Sequence, residues 1–449
     1  MRRTFKTVPG SVVAPKGFLA SGVYCDIKRL GTGKGSDKGQ KRDLALIVSE
    51  VPATVAGLFT TNQVCAAPVK VCIPRAAKGR AQAIVANSGN ANACTGPRGL
   101  RDALEMAAAA AGQIHMPPEH VLVASTGRIG VPMPMANVRD GIRRAAGLLG
   151  NAPEHGDEAG EAIMTSDTRS KQIAIELKLA GRPVRIGGVC KGAGMIQPGM
   201  SVTGRRPAAM PVAGLHATML AFLTTDAAIE AKLLQGMLTH AVARSFNRIT
   251  VDGDMSTNDT VLVLANGLAG HPQLRGRLAA KPSREIALFQ AALDHVCLEL
   301  ARMIVRDGEG VTRFVTLRLS GARTFAEADA AARAVANSAL VKASWFGGDP
   351  NWGRIIDALG YSPARIAEER VDIGYSAPGA RTVVWSLRKG RPTTTSFKQL
   401  CAAVAPREFD LHIRLNLGPA SAILYAADLT EEYVDFNKGD VSDPTKLGG

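Results

Sequence analysis

Gln82-Ala83-Ile84-Val85-Ala86-Asn87-Ser88-Gly89-Asn90-Ala91-Asn92-Ala93-Cys94-Thr95-Gly96 sets the fold class of this chain. Its opening, Gln82 to Val85, is a short apolar run that predicts a buried strand. The Asn/Gly-rich run from Asn87 to Gly96 predicts a turn, because small polar residues and glycine accept conformations that a core residue cannot. The segment after it, Arg101 to Gly112, is Ala-rich with charge at its start and predicts a helix. The same grammar recurs outward in both directions. Leu44-Ala45-Leu46-Ile47-Val48, Val121 to Ala124, Ile173 to Leu179, Val184 to Ile186, Thr260 to Ala265 and Phe314 to Leu319 predict strands. Ala227 to Arg244 and Ser283 to Ile304 carry helical periodicity. The expected class is α/β in a mixed α+β arrangement, with strand pairing left open.

Composition narrows the function classes. The chain has 449 residues, 46% hydrophobic and 21% charged, enough apolar sequence to bury a large core. By length alone two to three domains are expected. Lys and Arg number 54 against 39 Asp and Glu, a net charge of +15 that raises anionic partners of any kind. Aromatic residues make up only 4% and no binding motif interleaves them with the basic ones, which argues against nucleic acid. Residues 1–42 hold ten basic side chains against Asp26 and Asp37, and Arg205-Arg206 add two more. The excess therefore concentrates in an N-terminal arm and one loop, where it can attract a small anionic substrate. No run approaches the length of a membrane span, and the start lacks an apolar secretory stretch. The seven cysteines are scattered without a C-x-x-C pair, and the eight histidines show no ligand spacing. Reduced thiols, a cytoplasmic location and no metal site are the expectations.

Several segments are dense in glycine and small polar residues, as sites built on loops are. Ser125-Thr126-Gly127 follows the Val121 strand, where a glycine lets backbone N–H groups approach a developing oxyanion. Lys191-Gly192-Ala193-Gly194-Met195 follows the Val184 strand. Asp252-Gly253-Asp254-Met255-Ser256-Thr257-Asn258-Asp259 carries three carboxylates in eight residues. Asp307-Gly308-Glu309-Gly310 and Gly347 to Arg354 are of the same kind. Each alone is ordinary loop sequence. Gly31 to Arg42 lacks the spacing of a phosphate-binding loop, and with Ser201 to His216 and Asp440 to Gly449 it reads as solvated loop or tail.

Together with Ala14-Pro15-Lys16-Gly17-Phe18, Ala162 to Thr168, Gly187-Gly188, Ala217-Thr218-Met219-Leu220-Ala221-Phe222, Ser245 to Asp259 and Asn337 to Gly360, these segments resemble the ornithine acetyltransferases. These are the glutamate N-acetyltransferases of arginine biosynthesis, and the resemblance runs from about Val12 to Asn437. It implies the family's layered sandwich of helices and sheets. It also implies a precursor that cuts itself between Ala217 and Thr218, giving chains 1–217 and 218–449 that stay associated. Thr218 would then be an N-terminal nucleophile, and its own α-amine, with an ordinary pKa of about 7.7–8.0, a well-matched base. Thr126 and Gly127 match the oxyanion positions. Thr168, Lys191, Thr218, Glu309 and Asn437 match substrate-binding positions, and Ser442 is the nearest equivalent of the family's last residue. The implied reaction moves acetyl from N2-acetylornithine to glutamate in a ping-pong cycle with no cofactor, and it leaves acetyl-CoA open as a further donor. Two cleaved precursors forming an α/β heterotetramer is the implied assembly.

The chain also departs from the family pattern. Sixteen residues, 201–216, separate Pro198-Gly199-Met200 from Ala217-Thr218, and Thr203 lies among them as a second hydroxyl. Met255 stands where a hydroxyl residue is common, Arg128 where an apolar one is usual, and the tail runs on past Asn437. A hydrolase or acyltransferase with another acceptor, and an uncleaved amino-acid-binding paralogue, stay open beside the leading reading.

Overall fold

The computed structural model describes residues 5–28, 40–206, 219–276, 278 and 282–438. Eleven strands precede residue 266: β1 (Lys6–Thr7), β2 (Phe18–Val23), β3 (Leu44–Thr60), β4 (Arg80–Asn90), β5 (Val121–Arg128), β6 (Lys171–Leu179), β7 (Arg182–Lys191), β8 (Met200–Ser201), β9 (Leu220–Thr225), β10 (Ile249–Thr250) and β11 (Thr260–Ala265). All but β10 form one mixed sheet, ordered β1-β6-β7-β9-β11-β3-β4-β5, with β2 and β8 also paired to β3. Six more strands follow: β12 (Phe314–Ala322), β13 (Asp372–Ser376), β14 (Val384–Arg388), β15 (Arg391–Pro392), β16 (Glu408–Arg414) and β17 (Ala420–Ala427). With β10 they make a second sheet, ordered β10-β17-β12-β16-β13-β14-β15.

The central strands of the first sheet are covered on both faces, which is why they read as unbroken apolar runs. In β9, Leu220 and Phe222 join a core with helices Gly96–Gln113 and Met135–Gly147. The alternate residues Ala221 and Leu223 join a different core with helices Ala231–Arg244 and Arg284–Arg306. β11 divides the same way, Leu262 and Leu264 on one side and Val261 and Val263 on the other. Each large aliphatic side chain buried in this manner is worth about 1.5–3 kcal/mol.

Helix Arg284–Arg306 begins where the Ser283 hydroxyl accepts the Ile286 N–H and ends on the basic Arg306, a stabilising order for its dipole. It reaches the second sheet as well, with the Arg302 and Arg306 guanidiniums over the Tyr425 and Phe314 rings. The other face of that sheet packs on helices Phe325–Asn337 and Phe397–Val404. Helices and sheets thus alternate in layers, as the resemblance implies.

The structure lengthens several expected elements. β3 runs from Leu44 through Thr60 because a bulge absorbs Pro52: Val48 pairs with Ala83 and Ala53 with Ala81, leaving Ser49 to Pro52 opposite one residue. Asn87 to Asn90 are strand rather than turn, paired in parallel with Ser125 to Arg128. The helix expected from Ala227 starts at Ala231. Most decisive for the site, β9 and β11 lie between β7 and β3. The central sheet is therefore woven from both sides of residue 218.

Candidate active site

Parallel pairing of β4 with β5 sets Ser88 opposite Thr126 and Gly89 opposite Gly127. Gly127 has φ +129°, and a Cβ there would fall 2.3 Å from the Gly89 carbonyl carbon. Only glycine fits. The Asn-rich run holds this strand end: the Ser125 hydroxyl donates to Asn87 Oδ1 at 2.6 Å, and the Ala91 N–H donates to the Arg128 carbonyl at 2.9 Å. Asn258 closes it from the other side, donating from Nδ2 to the Ala91 carbonyl at 2.7 Å and the Ser125 carbonyl at 2.8 Å.

Lys191 ends β7, and the register pairs it with Leu220 at the start of β9. Its buried ammonium donates to Thr126 Oγ1 at 3.3 Å and Thr165 Oγ1 at 2.8 Å and stands 3.9 Å from Asp167 Oδ2. Burial lowers its pKa, against the pull of Asp167, Glu309 and Asp259. Asp167 also accepts the Gly192 N–H at 2.7 Å and the Lys171 ammonium at 2.5 Å. Burial opposes its charge, yet Lys191 and Lys171 together hold its carboxyl well below the ordinary range. Lys171 reaches on to Asp307 Oδ2 at 2.5 Å, and Asp307 in turn takes both the hydroxyl and the N–H of Thr168. Burial pushes the Lys171 pKa down, but the two carboxylates raise it above normal.

Glu309 folds over the turn after Lys191. A Cβ on Gly194 would sit 2.3 Å from its carboxylate, and its own N–H donates to the Ala193 carbonyl at 3.0 Å. Asn437, at the end of helix Glu431–Asn437, donates from Nδ2 to Glu309 Oε2 at 2.9 Å. The same helix sends the Tyr433 hydroxyl 3.3 Å to Asp252, whose carboxylate also accepts the N–H groups of Met195 and Ile196. The turn carrying Lys191 and Glu309 is thereby fixed at both ends.

Of the residues expected from sequence, the structure brings Thr126, Gly127, Thr168, Lys191, Glu309 and Asn437 into this one neighbourhood. Ala217, Thr218 and Ser442 lie outside the described residues. Met219 is described: it is fully buried, and its N–H donates to Asp259 Oδ1 at 2.8 Å. Thr203 is an exposed turn residue whose hydroxyl accepts the Arg205 N–H, far from such a setting. Met255 is buried with its sulfur 3.6 Å from the Thr61 hydroxyl, and Arg128 ends β5 half-buried. Ala14 to Phe18 sit at the opposite end of β7, lining a cavity of about 520 Å³ with Arg182, Arg185 and Asp226. Among the described residues no group of His, Cys, Asp or Glu is arranged to hold a metal, no helix is long and apolar enough to cross a membrane, and all seven cysteines are free thiols.

Sequence reading assigned no role to Lys171, Asp167, Asp307 or Asn258-Asp259. Asp167, Asp307 and Asn258-Asp259 fall inside the quoted motifs, which was their only signal. Lys171 had none, since it reads as one polar position at the start of an alternating strand.

Comparison with known proteins places the chain in a family. The ArgJ family model matches residues 20–439. An "Arginine biosynthesis bifunctional protein ArgJ" of Symbiobacterium thermophilum is 47% identical over 95% of this chain and 98% of its own. The Geobacter sulfurreducens protein of the same name is 43% identical over 94% and 98%. A "Glutamate N-acetyltransferase" of Methanocaldococcus jannaschii is 42% identical over 96% and 98%. With a family model matched over nearly the whole chain and relatives of 42–47% identity along it, the chain belongs to the ArgJ family.

Proposed function

We propose that this protein is a glutamate N-acetyltransferase that moves acetyl from N2-acetyl-L-ornithine to L-glutamate through an acetyl ester on Thr218. The observation that carries the reading is the pairing of Leu220 with Lys191, because the chain just after Thr218 starts its strand beside an ammonium that touches Thr126. The names of the relatives support the same reaction class.

Self-cleavage comes first. The Thr218 hydroxyl attacks the Ala217 carbonyl, the C–N bond breaks, and water hydrolyses the resulting ester to leave chains 1–217 and 218–449 with a free α-amine on Thr218. That amine takes the hydroxyl proton as Thr218 Oγ1 attacks the acetyl carbonyl of acetylornithine. It then returns the proton to the leaving nitrogen, releasing ornithine. The amine of glutamate attacks the ester in the second half-reaction and regenerates the hydroxyl. Thr126 and the Gly127 N–H stabilise both tetrahedral oxyanions, with the Lys191 charge close behind. Lys191 and Glu309 are the groups for a substrate carboxylate and ammonium, while Thr168 and Asn437 hold the wall around them. The cycle needs no cofactor, with acetyl-CoA as a further donor to assay. Because the central sheet takes strands from both sides of residue 218, cleaved chains stay interleaved, and two such pairs make the proposed cytoplasmic α/β heterotetramer.

A denaturing gel with N-terminal sequencing tests the processing, with a second fragment beginning at Thr218 expected. Incubation with acetylornithine tests transfer: glutamate-dependent release of ornithine is expected, whereas equal release of acetate without glutamate marks a hydrolase. Intact, active protein would refute the N-terminal-threonine mechanism.

A further inference from the structure

Asp259 sits at the head of β11, fully buried, and its two oxygens differ sharply. Oδ1 accepts the Met219 N–H at 2.8 Å. Oδ2 is buried and has no hydrogen-bond partner among the described residues. The backbone adds two further ties on the same residues, the Thr260 N–H to the Met219 carbonyl at 3.1 Å and the Thr60 N–H to the Asp259 carbonyl at 2.8 Å. The preceding residue, Asn258, is equally buried and binds the Ala91 and Ser125 carbonyls. Ser125 is one residue before Thr126, and Met219 is one residue after Thr218. Two consecutive side chains therefore span the gap between the oxyanion strand and the chain position next to the nucleophile.

We propose that Asp259 is a positioning residue for acetyl transfer: its carboxyl holds the Met219 N–H and so fixes the chain next to the nucleophile relative to the strand that Asn258 holds at Ser125. The inference rests on the function proposed above. Among the described residues no ammonium or guanidinium bonds Asp259 directly, and the Lys191 charge, which favours its ionised form through space, is outweighed by burial. Consistent with that, burial raises its pKa well above the ordinary carboxyl value. What it supplies is an acceptor at a fixed place. Loss of such placement acts on kcat, because substrate contacts at Lys191 and Glu309 are untouched while the reacting oxygen shifts.

The test compares Asp259→Asn, which keeps a neutral acceptor of the same shape, with Asp259→Ala and the similarly sized but acceptor-free Asp259→Leu. Each is measured as full-length protein for cleavage, for kcat and KM with acetylornithine and glutamate, and for kcat between pH 6 and 9. The alanine and leucine variants are expected to lose roughly a hundredfold in kcat with KM for acetylornithine within about twofold. Asp259→Asn is expected to recover all but about fivefold of that loss, with a pH profile parallel to the wild type. Should alanine fail to fold, leucine and asparagine still decide. Folded alanine or leucine variants with wild-type kcat overturn the proposal, and so does an asparagine variant as slow as they are, because a charge or a proton would then be the requirement. Uncleaved, inactive wild-type protein overturns the proposed function and this inference together. Active wild type matched by the alanine variant overturns only the inference.

Discussion

Two aspartates, both buried and both acting on the Lys191 charge, occupy opposite electrostatic situations. Asp167 has Lys171 at 2.5 Å and Lys191 at 3.9 Å and accepts two backbone N–H groups, so its charge is answered from every side. Asp259 accepts one backbone N–H and, among the described residues, has no cation within bonding distance, Lys191 acting on it only through space. The first carboxyl is held well below the ordinary carboxyl range and the second is pushed well above it. Burial is the same in both, so it does not decide the outcome. The number of charges and N–H groups brought to the carboxyl does. The lesson for the site is a division of labour: Asp167 secures the ammonium of Lys191, and Asp259 secures backbone.

The largest effect that could break this contrast is expected at Asp167. Asp167→Asn leaves Lys171 and Lys191 with one fewer carboxylate in a buried setting, a loss of about 3–5 kcal/mol in stability. Because the folded carboxyl is held low, its contribution is present above the unfolded pKa of about 3.9 and lost as pH falls. The stability gap between variant and wild type in denaturant melts should therefore begin to narrow below about pH 4 and go on narrowing as pH falls further, and a constant gap would refute the ion-pair account.

Gly127→Ala comes next. The positive φ alone costs about 1–3 kcal/mol, the clash with Gly89 adds to it, and, on the proposed oxyanion role, displacement of its N–H should lower kcat by about 100- to 1,000-fold. An alanine variant with unchanged melting and rate would remove Gly127 from the site.

A smaller change, of opposite sign to that at Asp167, is expected from Asp259→Asn. A raised folded pKa means that folded protein binds a proton the unfolded chain has released, so this group costs stability as pH rises from about 4 toward its folded value. The slope is at most about 1.4 kcal/mol per pH unit, and the asparagine variant should lack it. The variant then gains on the wild type with rising pH, and parallel stability curves would show Asp259 ionised after all.

Glu309→Gln should leave stability nearly alone, since Glu309 meets Asn437 and solvent rather than a buried lysine. Its effect belongs in KM, about tenfold or more for substrates with a free ammonium. A change in kcat with KM intact would assign it a different role.

Much of the molecule was legible in its sequence where one element carried its own signal. The strand at Val121 and the helix at Ser283 fell where periodicity put them, and Thr126, Gly127, Thr168, Lys191, Glu309 and Asn437, expected from the family resemblance, lie in one neighbourhood. Elements whose signal is non-local did not. The second half of β3 contains Pro52 and Gly57, both strand breakers in isolation, and is held by a bulge and by partners on either side. Asn87 to Asn90 look like a turn yet are strand, because the ladder with β5 outweighs local preference. Lys171 was invisible since one of its partners, Asp307, lies 136 residues away. No local pattern predicts which charge will be buried against which. The difference between Asp167 and Asp259 is of this kind: identical residues in similar motifs, separated only by what the fold brings to them.

The most direct test of the central claim is the mass of the fragment that starts at Thr218 after exposure to acetylornithine without glutamate. The account predicts two fragments on processing, the second becoming one acetyl group heavier with the modification on Thr218. Adding glutamate should then return it to its original mass as N-acetylglutamate appears. An intact 449-residue chain that still transfers acetyl, or an acetyl group found on any residue other than Thr218, would contradict it.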